Sequence, residues 1–311
     1  MTTGATRDAI VATAGESIAR GSRSFALASR LFDRTTRERA WLLYAWCRKC
    51  DDLADGQDHG GEMAGVSDPL ARLAHITALT EAALAGETTG DPAFEALRIV
   101  ASECKIPPAL PRDLVKGFAL DAEGWSPRSE ADLLTYCYHV AGVVGMMMAI
   151  VMGVRADDED TLRRACDLGI AFQLANIARD IEEDDRGGRC YLPLDWMVEL
   201  DIPPGEHLKP HLRPRLAVMA KWLAEMAGEY EASARIGATK LPFRARWAVL
   251  AAAGIYGDIA RTVRARGDHA WDHRVVVSRR AKLGWVVKAF GQAVRGPKLG
   301  VGREGLWTPE T

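Results

Sequence analysis

The chain is short of the patterns that mark most functional classes. No run alternates apolar and polar residues cleanly over six positions, so strands are not expected. The N-terminus lacks a basic segment followed by an apolar run, so no secretory leader is predicted. Six cysteines lie scattered at 47, 50, 104, 137, 166 and 190. Cys47 and Cys50 form a CxxC, but there is no second pair for zinc and no βαβ setting for redox chemistry, so helix packing is the expected role. These features predict a reducing, cytoplasmic compartment. With 40 basic and 42 acidic residues the net charge is −2, and no basic patch interleaved with aromatics suggests nucleic acid. Asparagine occurs once in 311 residues.

That one asparagine lies in GIAFQLANIARDIEEDDRGGRCYLP, residues 169–193. Gln173, Asn176, Asp180 and Asp184 follow at spacings of three, four and four, which puts them within about 80° on one helical face. Phe172, Ala175, Ala178 and Glu182 are expected on the other side. Asparagine competes for backbone groups and is poor in a helix interior, so this one asks for a reason. An amide and two carboxylates on successive turns make a row of oxygen ligands suited to Mg²⁺. Upstream, in YAWCRKCDDLADG, Tyr44, Arg48, Asp51 and Asp55 share a second face about 60° wide, with Asp52 beside it. One such row reads equally well as a solvated helix face. Two rows facing each other across a bundle would hold a metal cluster, and the cluster a diphosphate.

Most of the chain reads with helical period, and 48% apolar residues suffice for one all-α domain. Helices are expected over 1–20, 36–55, 69–85, 91–104, 107–121, 212–236 and 240–266. Residues 70–130 offer no evident chemistry. Leu133 to Val154 carries no formal charge over 22 residues, long enough to cross a membrane. Its tyrosines, His139 and three glycines favour instead a buried helix lining an apolar cavity, with Gly142 and Gly145 allowing close approach. From Asp258 to Arg303 there are eleven Lys or Arg against three Asp or Glu. With Trp271, Trp285 and Phe290, this excess fits a membrane surface or plain solvation.

Three motifs together resemble the squalene/phytoene synthase family, its bacterial phytoene synthases most of all. They are Asp51-Asp52-Leu53-Ala54-Asp55, the block Tyr136 to Gly145, and Gln173 to Asp184 followed by Gly188-Arg189-Cys190-Tyr191-Leu192-Pro193. The likeness runs from Ser22 to about Lys282. It implies an all-α, single-domain isoprenoid synthase bundle with a central apolar cavity over 1–285, and a basic tail over 286–311. It implies Mg²⁺-dependent head-to-head condensation of two geranylgeranyl diphosphates to phytoene through a cyclopropyl (prephytoene) diphosphate. Mn²⁺ is a substitute metal, and NADPH is not expected. Asp51, Asp55, Asn176, Asp180 and Asp184 would hold metal. Arg48, Arg179 and Arg274 would hold phosphate. Ser22, Ser24, Phe25, Tyr44, Gln173 and Tyr256 would line the substrate site. Tyr136 would steady cations with its ring or handle a proton. Residues 56–69 would form a flap.

Rival readings share parts of this pattern. A farnesyl-diphosphate-using dehydrosqualene or squalene synthase has the same motifs. A terpene cyclase shares the spacing of Asn176, Asp180 and Asp184, but the Tyr136 block and residues 188–193 argue against it. A chain-elongating prenyltransferase carries Arg-Arg-Gly after its first Asp motif, where this chain has Gly56-Gln57-Asp58-His59. A non-enzymatic, membrane-binding helical scaffold would have no use for carboxylate rows. The tail leaves peripheral membrane contact open, and nothing in the sequence fixes the oligomeric state.

Overall fold

A computed structural model describes residues 6–56, 68–296 and 302–309. Among them there is no strand. The helices are α1 (Arg7–Gly21), α2 (Arg23–Ser29), α3 (Arg34–Asp55), α4 (Pro69–Leu84), α5 (Pro92–Cys104), α6 (Ala109–Ala122), α7 (Glu130–Cys137), α8 (Val143–Val151), α9 (Glu159–Arg186), α10 (Leu194–Glu199), α11 (Arg213–Gly237), α12 (Phe243–Arg266) and α13 (Arg279–Arg295).

Local chemistry sets the boundaries. Asp33, Asp68, Asp91 and Asp158 each cap the helix that follows by accepting a backbone N–H. Pro69 and Pro92 occupy first turns, where a missing N–H costs nothing. Gly56 ends α3 at φ 66°, a conformation glycine adopts without strain. The expected helix of residues 36–55 therefore lies within α3. Ser22 separates α1 from α2, and its Oγ accepts from Phe25 N at 3.3 Å. The side chain of Ser24 and residues 57–67, most of the expected flap, lie outside the described parts.

α9 is the axis of the bundle, with α8, α11 and α12 packed around it. Its apolar side buries Ile170, Leu174, Ala175, Ile177, Ala178 and Ile181. α7 and α8 are one continuous rod joined by a π-helical turn, Tyr138–Gly142, which the sequence pattern did not reveal. This rod is the one described segment long and apolar enough to cross a membrane, and half of its most apolar window is buried inside the fold. Val140, Ala141, Val144, Gly145 and Met148 face an internal cavity. A Cβ on Gly145 would lie 2.2 Å from the Ala165 carbonyl oxygen, and one on Gly169 2.1 Å from that of Ala141. The rod and α9 thus touch backbone to backbone, which only glycine permits.

Cys50 is fully buried in the core, while Cys47 borders an internal cavity, where burial pushes its thiol up to about 12. Two aromatics expected at a surface point inward instead. Trp271 is buried and donates to the Ala178 carbonyl at 3.1 Å. Trp285 is half-buried, donates to Asp258 and lies under Arg235, Arg261 and Lys288. α13 crosses residue 285 and packs against α12 through Ala289 and Ala293. Farther on, Arg303 forms a forked ion pair with the wholly buried Asp167, at 2.7 Å, which also accepts from Ser233 Oγ at 2.6 Å.

Candidate active site

A largely apolar cavity of about 540 Å³ runs beside α9. Lining positions on that helix extend from Thr161 to Asp184, a distance of roughly 35 Å at 1.5 Å per residue. One end is polar: Arg48, Asp51 and Asp55 from α3 face Asn176, Arg179, Asp180 and Asp184 from α9. The structure thus brings the two expected rows to one place. Gln173, Tyr44, Phe25, Tyr256 and Tyr136 line the same cavity. Ser22 does not line it; its hydroxyl is engaged as the α2 cap.

Arginines fill the space between the carboxylates. Arg48 reaches Asp51 at 2.6 Å, Arg189 reaches Asp55 at 2.5 Å, and Asp180 is held by Arg179 and by Arg274 at 3.1 Å. Arg274 also binds Glu183 at 2.6 Å. Asp184 makes no ion pair among the described residues. Burial, then the neighbouring Asp180, pushes its carboxyl up to about 7. Burial likewise pushes Asp51 up to about 6, with Asp55 and Asp52 adding and Arg48 opposing. Both groups are only partly covered, Asp51 being 44% exposed at its side chain, and carboxyls raised in this way hold protons that a bound metal ion would have to displace.

The donors are carboxylate and amide oxygens, the set a hard divalent cation takes. No three Asp, Glu, His or Cys groups converge into a closed metal nest among the described residues. An ion here would complete its shell with water or with oxygens of a ligand, as Mg²⁺ does when it bridges protein to phosphate.

Two features escaped the sequence reading. The first is Asp121, in a stretch that offered no evident chemistry. It lies at the polar end, where Tyr136 Oη donates to it at 3.0 Å and Tyr191 Oη at 2.8 Å. Burial holds its carboxyl above the ordinary range, the two hydroxyls and Arg189 opposing. Trp125 and Tyr191 both stack on the Tyr136 ring, at 5.6 and 4.7 Å between centroids. The second is Phe172, which is not turned away. It lies only about 40° from Asn176 around the helix, lines the cavity and stacks on Tyr256 at 4.1 Å. Phe25 stacks on the same Tyr256 at 5.6 Å. Tyr44 Oη and Arg48 Nε are buried beside Gly21 and, among the described residues, meet no group in good hydrogen-bond geometry.

Comparison with known proteins fits this geometry. The family model described as squalene/phytoene synthase matches residues 18–281. The chain belongs to the squalene/phytoene synthase family. Within it, the chain is 46% identical over 301 residues to the 15-cis-phytoene synthase of a Paracoccus species (strain N81106 / MBIC 01143), covering 96% of this chain and 97% of that one. It is 44% identical to the 15-cis-phytoene synthase of Pantoea ananas, covering 90% of each. Among solved structures, a dehydrosqualene synthase in complex with ligand superposes with a TM-score of 0.81 at 26% identity, covering 92% of this chain and 96% of that one. This family membership makes the chain an enzyme of the prenyltransferase kind, and the all-α synthase bundle is the fold the motifs led one to expect.

Proposed function

We propose that this family member is a phytoene synthase, joining two geranylgeranyl diphosphates head to head in two ionisation steps, each releasing one diphosphate. The observation that carries the reading is the cavity beside α9, polar and lined with aspartates from two helices at one end, and mostly apolar along the rest of its length. Asp51, Asp55, Asn176, Asp180 and Asp184 would hold Mg²⁺, for which Mn²⁺ can stand in. Bound there, the metal supplies the positive charge that lets an allylic diphosphate leave.

The chain's own residues do the rest. Arg48, Arg179, Arg189 and Arg274 already sit among the carboxylates. With those carboxylates holding metal, the guanidiniums would be free to turn to phosphate oxygens, which arginine binds in the same forked geometry. Phe25, Phe172 and Tyr256 form a stacked apolar wall just inside the polar end, which keeps water from an allylic cation. Tyr136 acts through its hydroxyl, because its ring is stacked on by Trp125 and Tyr191. Burial and Asp121 keep that hydroxyl protonated, so it donates to the carboxylate and helps hold a negative group where carbocations form. Nothing in this scheme calls for NADPH. The reaction belongs in the cytoplasm, at a membrane that can take up a hydrocarbon product.

A second reading, a farnesyl-diphosphate-using enzyme of the dehydrosqualene type, draws on the close superposition with a dehydrosqualene synthase. Incubation with Mg²⁺ and each labelled diphosphate, followed by product mass, separates the two. A forty-carbon hydrocarbon and preference for the twenty-carbon substrate are expected. A thirty-carbon product as the preferred outcome would establish the second reading, and a product from one substrate molecule would remove both.

A further inference from the structure

α13 carries an outward apolar stripe that the described residues leave mostly uncovered. Leu283, Val287, Phe290 and Val294 are 64%, 66%, 46% and 62% exposed. Their spacings of four, three and four place them within about 60° of each other along three turns. Solvated surface helices do not repeat large apolar residues at this period on their outer side. At its C-terminal half the stripe broadens onto the start of α12. There Phe290 meets Phe243, itself exposed, edge-on at 5.7 Å, and Trp247 at 5.2 Å.

The charges around the stripe are of one sign. α13 carries Arg279, Arg280, Lys282, Lys288 and Arg295 and no acidic residue. Arg279 and Arg280 flank the stripe at its N-terminal end and make no ion pair among the described residues. Most other arginines of the basic C-terminal third are engaged: Arg261 with Glu231 and Asp258, Arg264 with Glu225, Arg274 with Asp180 and Glu183, Arg303 with Asp167. Of the arginines from 258 to 303, those without an ion pair among the described residues are Arg266 at the end of α12 and Arg279, Arg280 and Arg295 on α13.

We propose that α13 is the protein's membrane-docking element, lying in the interface of a bilayer that contains anionic lipid. Its apolar stripe enters the acyl boundary, and its arginines and lysines meet lipid phosphates. A second copy of the chain is a poor occupant of the same face. A two-fold contact would set one all-basic helix against another, with no acid on either to answer it. The position is apt for an enzyme that makes a hydrocarbon. α12 alone separates α13 from the cavity: Ala248, Val249, Ala252 and Tyr256 line the cavity, while Trp247 donates to the Val286 carbonyl on α13 at 2.7 Å.

The test is flotation of the full chain, without substrate, with vesicles of phosphatidylcholine plus phosphatidylglycerol and with phosphatidylcholine alone. Its outcome is independent of which product the enzyme makes. The intact protein should partition onto the anionic vesicles and far less onto the neutral ones. Leu283→Ser, Val287→Ser and Val294→Ser combined should lower the partition coefficient roughly tenfold or more. All three positions are mostly exposed, so an unchanged Tm should confirm an intact fold. Arg279→Gln with Arg280→Gln should lower it several-fold and reduce its sensitivity to salt. Absence of binding by the intact protein would overturn the proposal, as would binding indifferent to the triple substitution. Light scattering that shows the triple substitution splitting an oligomer, with vesicle binding unchanged, would make the stripe a subunit contact instead.

Discussion

The two halves of α9 face the same cavity and present opposite chemistry to it. From Gln173 to Asp184 the lining side chains include two amides, two carboxylates and Arg179. From Thr161 to Leu168 they are Thr161, Arg164, Ala165 and Leu168. Thr161 and Arg164 are the exceptions in the second half: the threonine hydroxyl donates to Asp158 at 2.8 Å, and the guanidinium is turned to Asp160 at 3.3 Å and Ser233 Oγ at 3.2 Å. A helix can be both an electrostatic site and a hydrocarbon wall because its lining face is continuous while its residue types are free to change every turn. The proposed reaction needs both: charge where the diphosphate leaves, and a water-poor wall where the carbon chain lies.

Removing charge from the polar half should do the most damage. Asp51→Asn or Asp180→Asn should lower turnover by roughly a thousandfold at saturating Mg²⁺, with far-UV circular dichroism unchanged. Near-normal activity in both would mean that these rows hold no metal. Asp121→Asn should cost less, about tenfold or more in kcat, because an amide oxygen still accepts from one tyrosine hydroxyl. A variant with full activity would make Asp121 a packing group.

The polar half should also show a pH signature. Asp184 near 7 and Asp51 near 6 both lie above the usual carboxylate range. Protons therefore bind the folded, metal-free protein more tightly than the unfolded chain. The stabilisation this gives is complete at low pH and is lost as pH rises through about 6 to 7. A metal must displace those protons, so apparent Mg²⁺ affinity should weaken roughly tenfold as pH falls from about 8 to about 6. Titration calorimetry in buffers of different ionisation enthalpy reads the released protons. Affinity flat over that range would contradict the assignment.

The apolar half should respond to volume rather than charge. Ser29 is buried, lines the cavity and accepts from Trp41 Nε1 at 3.0 Å. Trp41 lies ten residues before Asp51 on α3, roughly 15 Å from the polar end. Ser29→Phe should overfill this depth at about 1–3 kcal/mol, shifting the kcat/KM ratio toward farnesyl over geranylgeranyl diphosphate by about tenfold. Ser29→Ala removes the hydrogen bond without adding bulk and should leave the ratio alone. If both variants shift it equally, the tryptophan contact and not cavity depth governs the choice.

The same contrast explains what could be read from the chain. Polar residues at helical spacing are an anomaly, so the Asp51 and Asp180 rows stood out in one dimension, and their facing positions followed from the period. The apolar half gave no such signal, because cavity lining and ordinary core have the same residues at the same spacing. Asp121 has a fainter signal: Leu114, Phe118 and Asp121, four and three apart, continue one cavity-facing stripe, and a carboxylate ending such a stripe is out of place. Arg189 and Tyr191 lie past the end of α9, in a segment with no period to say which way a side chain points. The tryptophans at 271 and 285 were misplaced because a basic neighbourhood suggested a surface, whereas the arginines near Trp285 stack on its ring.

The central claim is that the two aspartate rows act together, through metal, on a diphosphate. Calorimetric titration with inorganic diphosphate, in Mg²⁺ and in EDTA, measures this without any turnover. The account predicts binding at least roughly a hundredfold tighter with Mg²⁺, about 2.7 kcal/mol, and predicts that Asp180→Asn abolishes the difference. Equal affinity in Mg²⁺ and EDTA would show that the arginines alone hold the diphosphate, and would contradict it.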